Sequence, residues 1–573
     1  MTDDNSSSGL DRRSFLVLGA AATGATVIPA GVAAADDARK KKPKPPSGNP
    51  FSMGVASGDP TATSVILWTR LAPKALELDG GMGKKGTQQV SYEIATDAKF
   101  SQNVQRGVVD APADYGHSVH LDAQGLTPNT EYFFRFKYGK FVTETARTRT
   151  TPDLGQSVDS FVFGQTSCAN WQSGYYQLYK DLADQGLDYW VALGDFIYEY
   201  GNGGYTRDGK SVRSIPWSGE TFTLPEYRRQ YGLYRSDASL QALHAAAPYS
   251  VIWDDHEVDN NFTGGKDGGD GEKARIAFEK RRAAGFQAFY ENHAIRLPGQ
   301  PNGPGQMPAS MRIYRKVEWG NLASFFFLDG RQYRSDQPGN DTPQDFGDWV
   351  EGMFDPAATM LGSEQETWLA TELADSTAKW DFIAQQVVMS DMNAGAGLPK
   401  LLPKGLYNYD AWDGYWLARA RLVKAIQDGQ VRNPIVLTGD FHCNLALDVL
   451  AEWPDPRDFA TMDEQAAATK TWPVNPVAAE IATGAISSPT FFGGAGIVAV
   501  AGPPTVAATP WARYAELLNN GAVVLTVTPA AVEAQFRVAN TFFPAKDPKG
   551  KVRADKTVVI NDGVPGVSKV VGP

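Results

Sequence analysis

Five stretches of this 573-residue chain end an apolar, β-rich run on side chains able to bind a metal ion or a phosphate group. "FVFGQTSC" delivers Cys168, and "YWVALGDFIYE" delivers Asp195, Tyr198 and Glu199. "SVIWDDHEVDNNF" delivers Asp254, Asp255, His256, Glu257, Asp259, Asn260 and Asn261. "ASFFFLDGRQYRSD" adds Asp329 and Arg331, and "PIVLTGDFHCN" adds Asp440, His442 and Cys443. A single Gly-Asp after a strand is ordinary turn or helix-capping chemistry. "DDHEVDNN" carries more, because it crowds four acids, a histidine and two amides into eight residues. Such crowding is costly unless a cation neutralises it or solvent screens it, so the stretch is either a metal-binding loop or a solvated one. Paired Asp and His close two separate runs in a chain with six histidines, which favours the metal.

The donor types constrain the ion. Tyrosinate and thiolate derive from groups with ordinary pKa values near 10 and 8.5, so binding them at neutral pH needs a strongly polarising ion. Ferric iron fits, whereas zinc more typically takes histidine and cysteine. The surplus of Asp and Asn oxygens suits a second, harder ion such as calcium. Cys168 has two other readings, an inert buried thiol or a disulfide with Cys443, the second of the chain's two cysteines.

Side chains at strand tips need a rigid frame beneath them. After Pro152 short β-rich runs alternate with helical stretches, the βαβ rhythm of a sheet covered on both faces. "SGYYQLYKDLADQG" reads as an amphipathic helix with Tyr176, Leu178, Tyr179 and Leu182 inward, and "EKARIAFEKRRAAGFQAFYENHA" as a longer one with Phe278, Phe286, Phe289 and Tyr290 on one side and His293 structural or exposed near its end. Tips of strands in an α/β sheet are where sites assemble. From Phe51 to about Thr150 the texture is all β: "SVILWTRL", "QQVSYEIAT" and "TEYFFRFKYG" lie between turn residues, and five to seven strands suggest a sandwich. "GLTPNTEYFFRF" resembles the tyrosine-bearing strand entry of fibronectin type III and immunoglobulin-like domains, with Tyr132 as a core residue. His117 and His120 have no acidic neighbours and read as packing or surface residues.

A chain of this length exceeds one hydrophobic core, so at least two domains are expected. The formal net charge of −11 gives no overall attraction to nucleic acid or anionic lipid, so an anionic substrate must be drawn locally. "DRRSFLVLGAAATGATVIPAGVAAADD" orders an arginine pair, a short apolar stretch and small residues as a removable export signal over residues 1–35, and the pair points to the twin-arginine route and a secreted protein. A membrane anchor is the alternative, against which the apolar run is too short to span about 30 Å of hydrocarbon. A basic, proline-rich linker follows over 36–50. We expect an immunoglobulin-like sandwich over 51–150, a catalytic domain over 155–540 and a tail over 541–573 that either covers the site or packs elsewhere. "GGKDGGDGEK" reads as a flexible loop, and no repeats are found.

The succession "NPFSMGVASGDPTATSVILWTRL", "SCANWQSGYY", "GDFIYEYG", "LYRSDASLQALHAAAPYSVIWDDHEVDNNF", "LDGRQYRSD", "LGSEQETWL" and "GDFHCN" resembles the PhoD-type alkaline phosphatases and phosphodiesterases, exported metalloenzymes related to the calcineurin-like metallophosphoesterases. The likeness runs from about Asn49 to Val538. It implies a β-sandwich-cored αββα catalytic domain preceded by the all-β domain. It also implies one Fe3+ held by Cys168, Asp195 and Tyr198, and one or two Ca2+ (or another divalent ion) using Asp195, the acidic loop, Asp440 and His442. Within that loop Asn260 or Asn261 is the implied calcium ligand, Asp255 and His256 line the site, and Arg235 or Arg331 clamps phosphate. Cys443 beside His442, and Gly330 where threonine is frequent, depart from the pattern. "GLYNYDAWDGYW" around Asp413 resembles a segment bordering the site.

The implied reaction is hydrolysis of phosphate mono- and diesters by a metal-bridging oxide or hydroxide, for phosphate scavenging. Cations stabilise the charge added at phosphorus more in the transition state than in the ground state. Cleavage of phospholipid head groups, as by a phospholipase D, is the alternative within the same chemistry. The competing reading is a secreted, non-catalytic binding protein with a closed metal site. A monomer without specific nucleic-acid binding is expected.

Overall fold

Three parallel strands, Phe161–Thr166, Tyr189–Leu193 and Tyr249–Ile252, lie side by side near the middle of a ten-stranded sheet. Every residue of the last two is buried, as expected for strands covered on both faces. A seven-stranded sheet faces them and contains the parallel strands Ala323–Phe327, Trp380–Ala384, Pro434–Thr438 and Pro476–Ala482. This computed structural model describes residues 48–83, 85–207, 209–268, 273–297, 311–338, 351–391, 408–459, 461–490 and 509–573. The fold is mixed α/β, with three sheets among the described residues.

Aromatic side chains join the two large sheets. Phe161 stacks on Trp319 at 4.9 Å, and Phe163 meets Phe325 and Phe382 edge-on at 5.1 and 5.2 Å. Gln165 Nε2 donates across to the carbonyls of Thr438 and Ile481, at 3.0 and 2.9 Å. The apolar contact drives the sheets together, and the amide bonds fix their relative height, which sets the strand tips level.

Between residues 51 and 150 the only described helical segment is the single turn Ala113–Tyr115. Gln88–Ala95, Gln105–Ala111, Glu131–Tyr138, Phe141–Val142 and Ala146–Arg149 form a five-stranded sheet. Tyr132 is buried and its hydroxyl accepts from Thr127 N at 2.8 Å, the backward bond of a tyrosine corner. The other three strands, Val55–Gly58, Ser64–Arg70 and Ser118–Gln124, hydrogen-bond into the ten-stranded sheet beside Tyr249–Ile252. His117 is buried, and His120 bonds the carbonyls of Tyr290 and His293 at 2.8 and 3.0 Å, so both are packing residues.

The two expected helices form, each shorter than its pattern. The first is Gln177–Ala183, with Tyr176, Leu178, Tyr179 and Leu182 buried. The second is Phe278–Asn292, with Phe286, Phe289 and Tyr290 buried and Phe278 packed against the core. Its N-terminal extension is lost to tertiary bonds: Arg275 donates to Glu226 and to the carbonyl of Glu220, holding that stretch outside the helix. His293 is buried and bonds Tyr249 Oη at 2.8 Å. From the tail, Arg553–Asn561 and Lys569–Val571 form one edge of the ten-stranded sheet, and Thr541 and Phe543 accept bonds from Tyr175 N and Gln177 Nε2. The export signal, nearly all of the linker and residues 269–272 of the glycine-rich loop lie outside the described residues.

Candidate metal centre

The parallel strands of both sheets end at one place. Cys168 follows Phe161–Thr166, Asp195 follows Tyr189–Leu193, Asp254 and Asp255 follow Tyr249–Ile252, and Asp440 and His442 follow Pro434–Thr438. Donor atoms of Cys168, Asp195 and His442 lie within 4.8 Å of one another, as do those of Asp195, Asp255 and His256, and of Asp254, Asp255 and Asp440. Asp195 belongs to two of these groups. Tyr198 donates to Asp195 Oδ2 at 2.7 Å and lies 3.1 Å from His442 Nε2. The structure thus brings together Cys168, Asp195, Tyr198, Asp255, His256, Asp440 and His442.

The backbone is bent to do so. Cys168, Asp195, Asn261, Asp440 and His442 all have φ between 54° and 59°, a left-handed conformation that costs a non-glycine residue free energy. Gly194, at φ +91°, turns the chain where a Cβ would fall 2.4 Å from that of Asp254. Gly194→Ala is expected to destabilise the protein by about 2 kcal/mol or more, from conformation and overlap together. Thermal melting beside metal content checks it, and an alanine variant matching wild type in both contradicts it.

Buried partners orient the donors. Glu257 takes three backbone N–H groups, from Asp195, Phe196 and Asp254 at 3.1, 2.6 and 2.7 Å, and so clamps two strand tips together. Glu199 accepts from His256 Nδ1 at 2.8 Å and from Asn260 N at 3.0 Å, leaving His256 Nε2 for the site. His442 Nδ1 bonds the carbonyl of Pro489 at 2.8 Å, which frees Nε2 as a donor atom. Asn261 N donates to Asp255 Oδ2 at 2.7 Å, and its carbonyl accepts from Arg334 and Gln337. The backbones of Asn260 and Asn261 therefore secure the loop; both side chains are half-buried at the rim, as are Asp440 and His442.

The two arginines depart from their expected role. Arg235 is buried between the rings of Trp68 and Phe196, and donates to Tyr249 Oη at 3.2 Å. It packs the core and does not join the carboxylates. Arg331 is fully buried, with Nε on Asp254, one terminal nitrogen 2.6 Å from Asp410 and the other 3.3 Å from Asp440 and 3.6 Å from Asp255. All its nitrogens are committed to carboxylates, so it positions those groups and is not a phosphate clamp. Asp410, which the sequence reading passed over, also accepts from Arg334 and Gln337. Asp413, singled out in the same segment, instead pairs with Arg419 at 2.8 Å. Asp329 caps the turn below, accepting from Trp253, Arg331 N and Gln332. Ser488, also unforeseen, donates to Tyr198 Oη at 2.7 Å. Cys168 and Cys443 are not joined in a disulfide; Cys443 sits among Val388, Leu445 and Leu517 in a separate apolar cluster.

Electrostatics fit a cation. Burial pushes the Cys168 thiol and the Asp195 and Asp254 carboxyls well above their usual ranges, and burial with nearby Asp255 and Asp410 pushes Asp440 up to about 7 despite Arg331. Burial lowers His442 to about 4, keeping its imidazole neutral. Asp195 Oδ1, Asp254 Oδ2 and Asp255 Oδ1 are buried acceptors without a hydrogen-bond donor among the described residues. Metal ions satisfy such oxygens and stabilise their charged form, and the N, O and S donor set suits the purpose.

The fold and site define an α/β protein with a candidate metal centre at the convergent ends of two parallel-stranded sheets. Its relatives give the family. Residues 161–536 match the PhoD-like phosphatases, and residues 34–152 match the PhoD-like phosphatase N-terminal domain. The chain belongs to the PhoD-like phosphatase family. It is 43% identical over 400 residues to alkaline phosphatase D of Bacillus subtilis (strain 168), a match spanning 70% of this chain and 66% of that relative's length. A solved structure of PhoD aligns with a TM-score of 0.79 at 36% identity, covering 92% of this chain and 94% of the other.

Proposed function

We propose that this chain is a metal-dependent phosphoric ester hydrolase acting on phosphate mono- and diesters, with Asp195 at the centre of its metal site. The observation that carries this reading is that Asp195 Oδ1, Asp254 Oδ2 and Asp255 Oδ1, buried and without a hydrogen-bond donor among the described residues, belong to carboxylates that cluster in overlapping groups with Cys168, His256, Asp440 and His442. Family membership supplies the substrate class. Cys168, Asp195 and Tyr198 would hold ferric iron; Asp195, Asp255, Asp440, His442 and one of Asn260 and Asn261 would hold calcium. When bound, such ions supply positive charge to phosphoryl oxygens and acidify water.

The chain's own residues prepare the place. Glu257 and Arg331 fix the spacing of the strand tips, so the donor atoms keep their geometry at small reorganisation cost. Glu199 holds His256 by Nδ1 with Nε2 toward the carboxylates. Half-buried Asp440 and His442 mark the side from which an ester enters. The facing sheets support a metallophosphoesterase αββα core, and the segment 51–150 an all-β domain that shares strands with it. The Arg12–Arg13 pair and following apolar stretch support twin-arginine export. Among the described residues no helix is long and apolar enough to cross a membrane.

Chelation tests the reading. The purified protein is expected to hydrolyse nitrophenyl phosphate and bis-nitrophenyl phosphate, to lose that turnover with its ions, and to regain it with Fe3+ and Ca2+ together. Elemental analysis accompanies each step. Folded, metal-loaded protein inert toward both esters would favour the binding-protein reading, and release of head groups from phospholipid vesicles would extend the substrates to lipids.

A further inference from the structure

Tyr205 touches the candidate centre without holding any part of it together. Its ring lies nearly parallel to that of Tyr198, with centroids 5.5 Å apart and planes 15° from each other, and to the imidazole of His256 at 6.1 Å and 27°. Tyr200 packs against it at 5.8 Å. These contacts fix the plane of the ring, and with it the line on which the hydroxyl sits. The surrounding backbone is tied down as well. Gly203 N donates to Gln172 Oε1 at 2.5 Å, and Ser173 Oγ to the Tyr205 carbonyl at 3.4 Å. Arg207 donates to Asn520 and Asn540 at 3.0 and 3.3 Å.

Burial first, and then the charges of Asp195, Cys168, Asp440 and Asp255 at the strand tips, raise the Tyr205 phenol above its usual range. Its hydroxyl nevertheless makes no hydrogen bond to a described residue, and the side chain is half-buried. A phenol is a hydrogen-bond donor, and this one, its ring held against those of Tyr198 and His256 and its hydroxyl bonded to no described residue, is open to an acceptor from outside the chain. Tyr198 next to it illustrates the contrast, since its hydroxyl is engaged by Asp195, His442 and Ser488.

We propose that Tyr205 is a substrate contact, donating from its hydroxyl to a non-bridging phosphoryl oxygen of the ester bound at the centre. This rests on the hydrolase reading above. Negative charge grows on those oxygens as the ester reacts, so a preorganised neutral donor stabilises the transition state more than the bound substrate. Its effect belongs in kcat rather than KM.

Tyr205→Phe keeps the ring stack and removes only the donor. In the metal-loaded protein this variant is expected to retain wild-type metal content and melting temperature. Its kcat on bis-nitrophenyl phosphate should fall about tenfold to a hundredfold, the range for one hydrogen bond to a charged group, with KM within about threefold. Binding of inorganic phosphate, followed by calorimetry on the same preparations, should weaken several-fold. Wild-type kcat together with wild-type phosphate affinity would overturn the proposal, and so would loss of metal, which would make Tyr205 a ligand. If wild-type protein hydrolyses no ester, the hydrolase reading has failed by itself, and phosphate affinity still decides whether Tyr205 meets the anion: equal affinity in both proteins sinks the contact.

Discussion

Asp195→Ala is expected to lower turnover of phosphate esters by at least on the order of a thousandfold, above the loss seen when one preorganised stabilising group is removed from a catalytic site. The size follows from position. Asp195 belongs to both the Cys168–His442 group and the Asp255–His256 group, and it also takes the Tyr198 hydroxyl. Its deletion would open both halves of the centre at once, whereas loss of a peripheral partner such as Glu199 would only let one imidazole turn. Metal analysis should show a reduced metal content. The fold should persist, because the Asp195 backbone N–H remains held by Glu257. Retention of wild-type metal content and of activity to within tenfold would exclude Asp195 as a metal ligand.

The largest stability effect is expected at Arg331. Its guanidinium is fully buried and faces Asp254, Asp255, Asp410 and Asp440. Arg331→Met keeps much of the volume but strands those carboxylates without their counter-charge. Breaking a buried ion pair from one side costs about 3–5 kcal/mol, and here one cation serves several anions. Denaturation of metal-free protein should register a loss of that size, and saturating metal should recover part of it by mass action. A variant as stable as wild type in metal-free form would mean that the carboxylates are protonated and need no partner.

The site was more legible than its supports. Acids, a histidine and a cysteine at the ends of apolar strands stand out because burying such groups is costly, so Cys168, Asp195, Asp255, Asp440 and His442 are candidates from position alone, and the structure brings them together. Arginines offer no such signal. Nothing in the sequence around Arg235 or Arg331 separates their roles, and only tertiary packing sends one between Trp68 and Phe196 and the other among carboxylates. Asp410 and Asp413 differ by three places in one loop, and composition does not say which turns toward Arg331. Tyr205 lay in a glycine-rich turn where nothing marks a ring for stacking. For the fold, the alternating runs of residues 51–150 predicted strands correctly. They did not reveal that Ser64–Arg70 and Ser118–Gln124 join the larger sheet, since apolar alternation names a buried face and not a neighbour.

The strand carrying Cys168 has Tyr189–Leu193 on one flank and Asn520–Val527 on the other. The second neighbour lies about 350 residues further along the chain. Until the ribosome has passed that point, Phe161–Thr166 offers an open row of amides and carbonyls, the kind of border that invites pairing with a stranger. The nascent protein therefore cannot finish its centre piece by piece as it emerges. Assembly of the middle awaits residues 520–527.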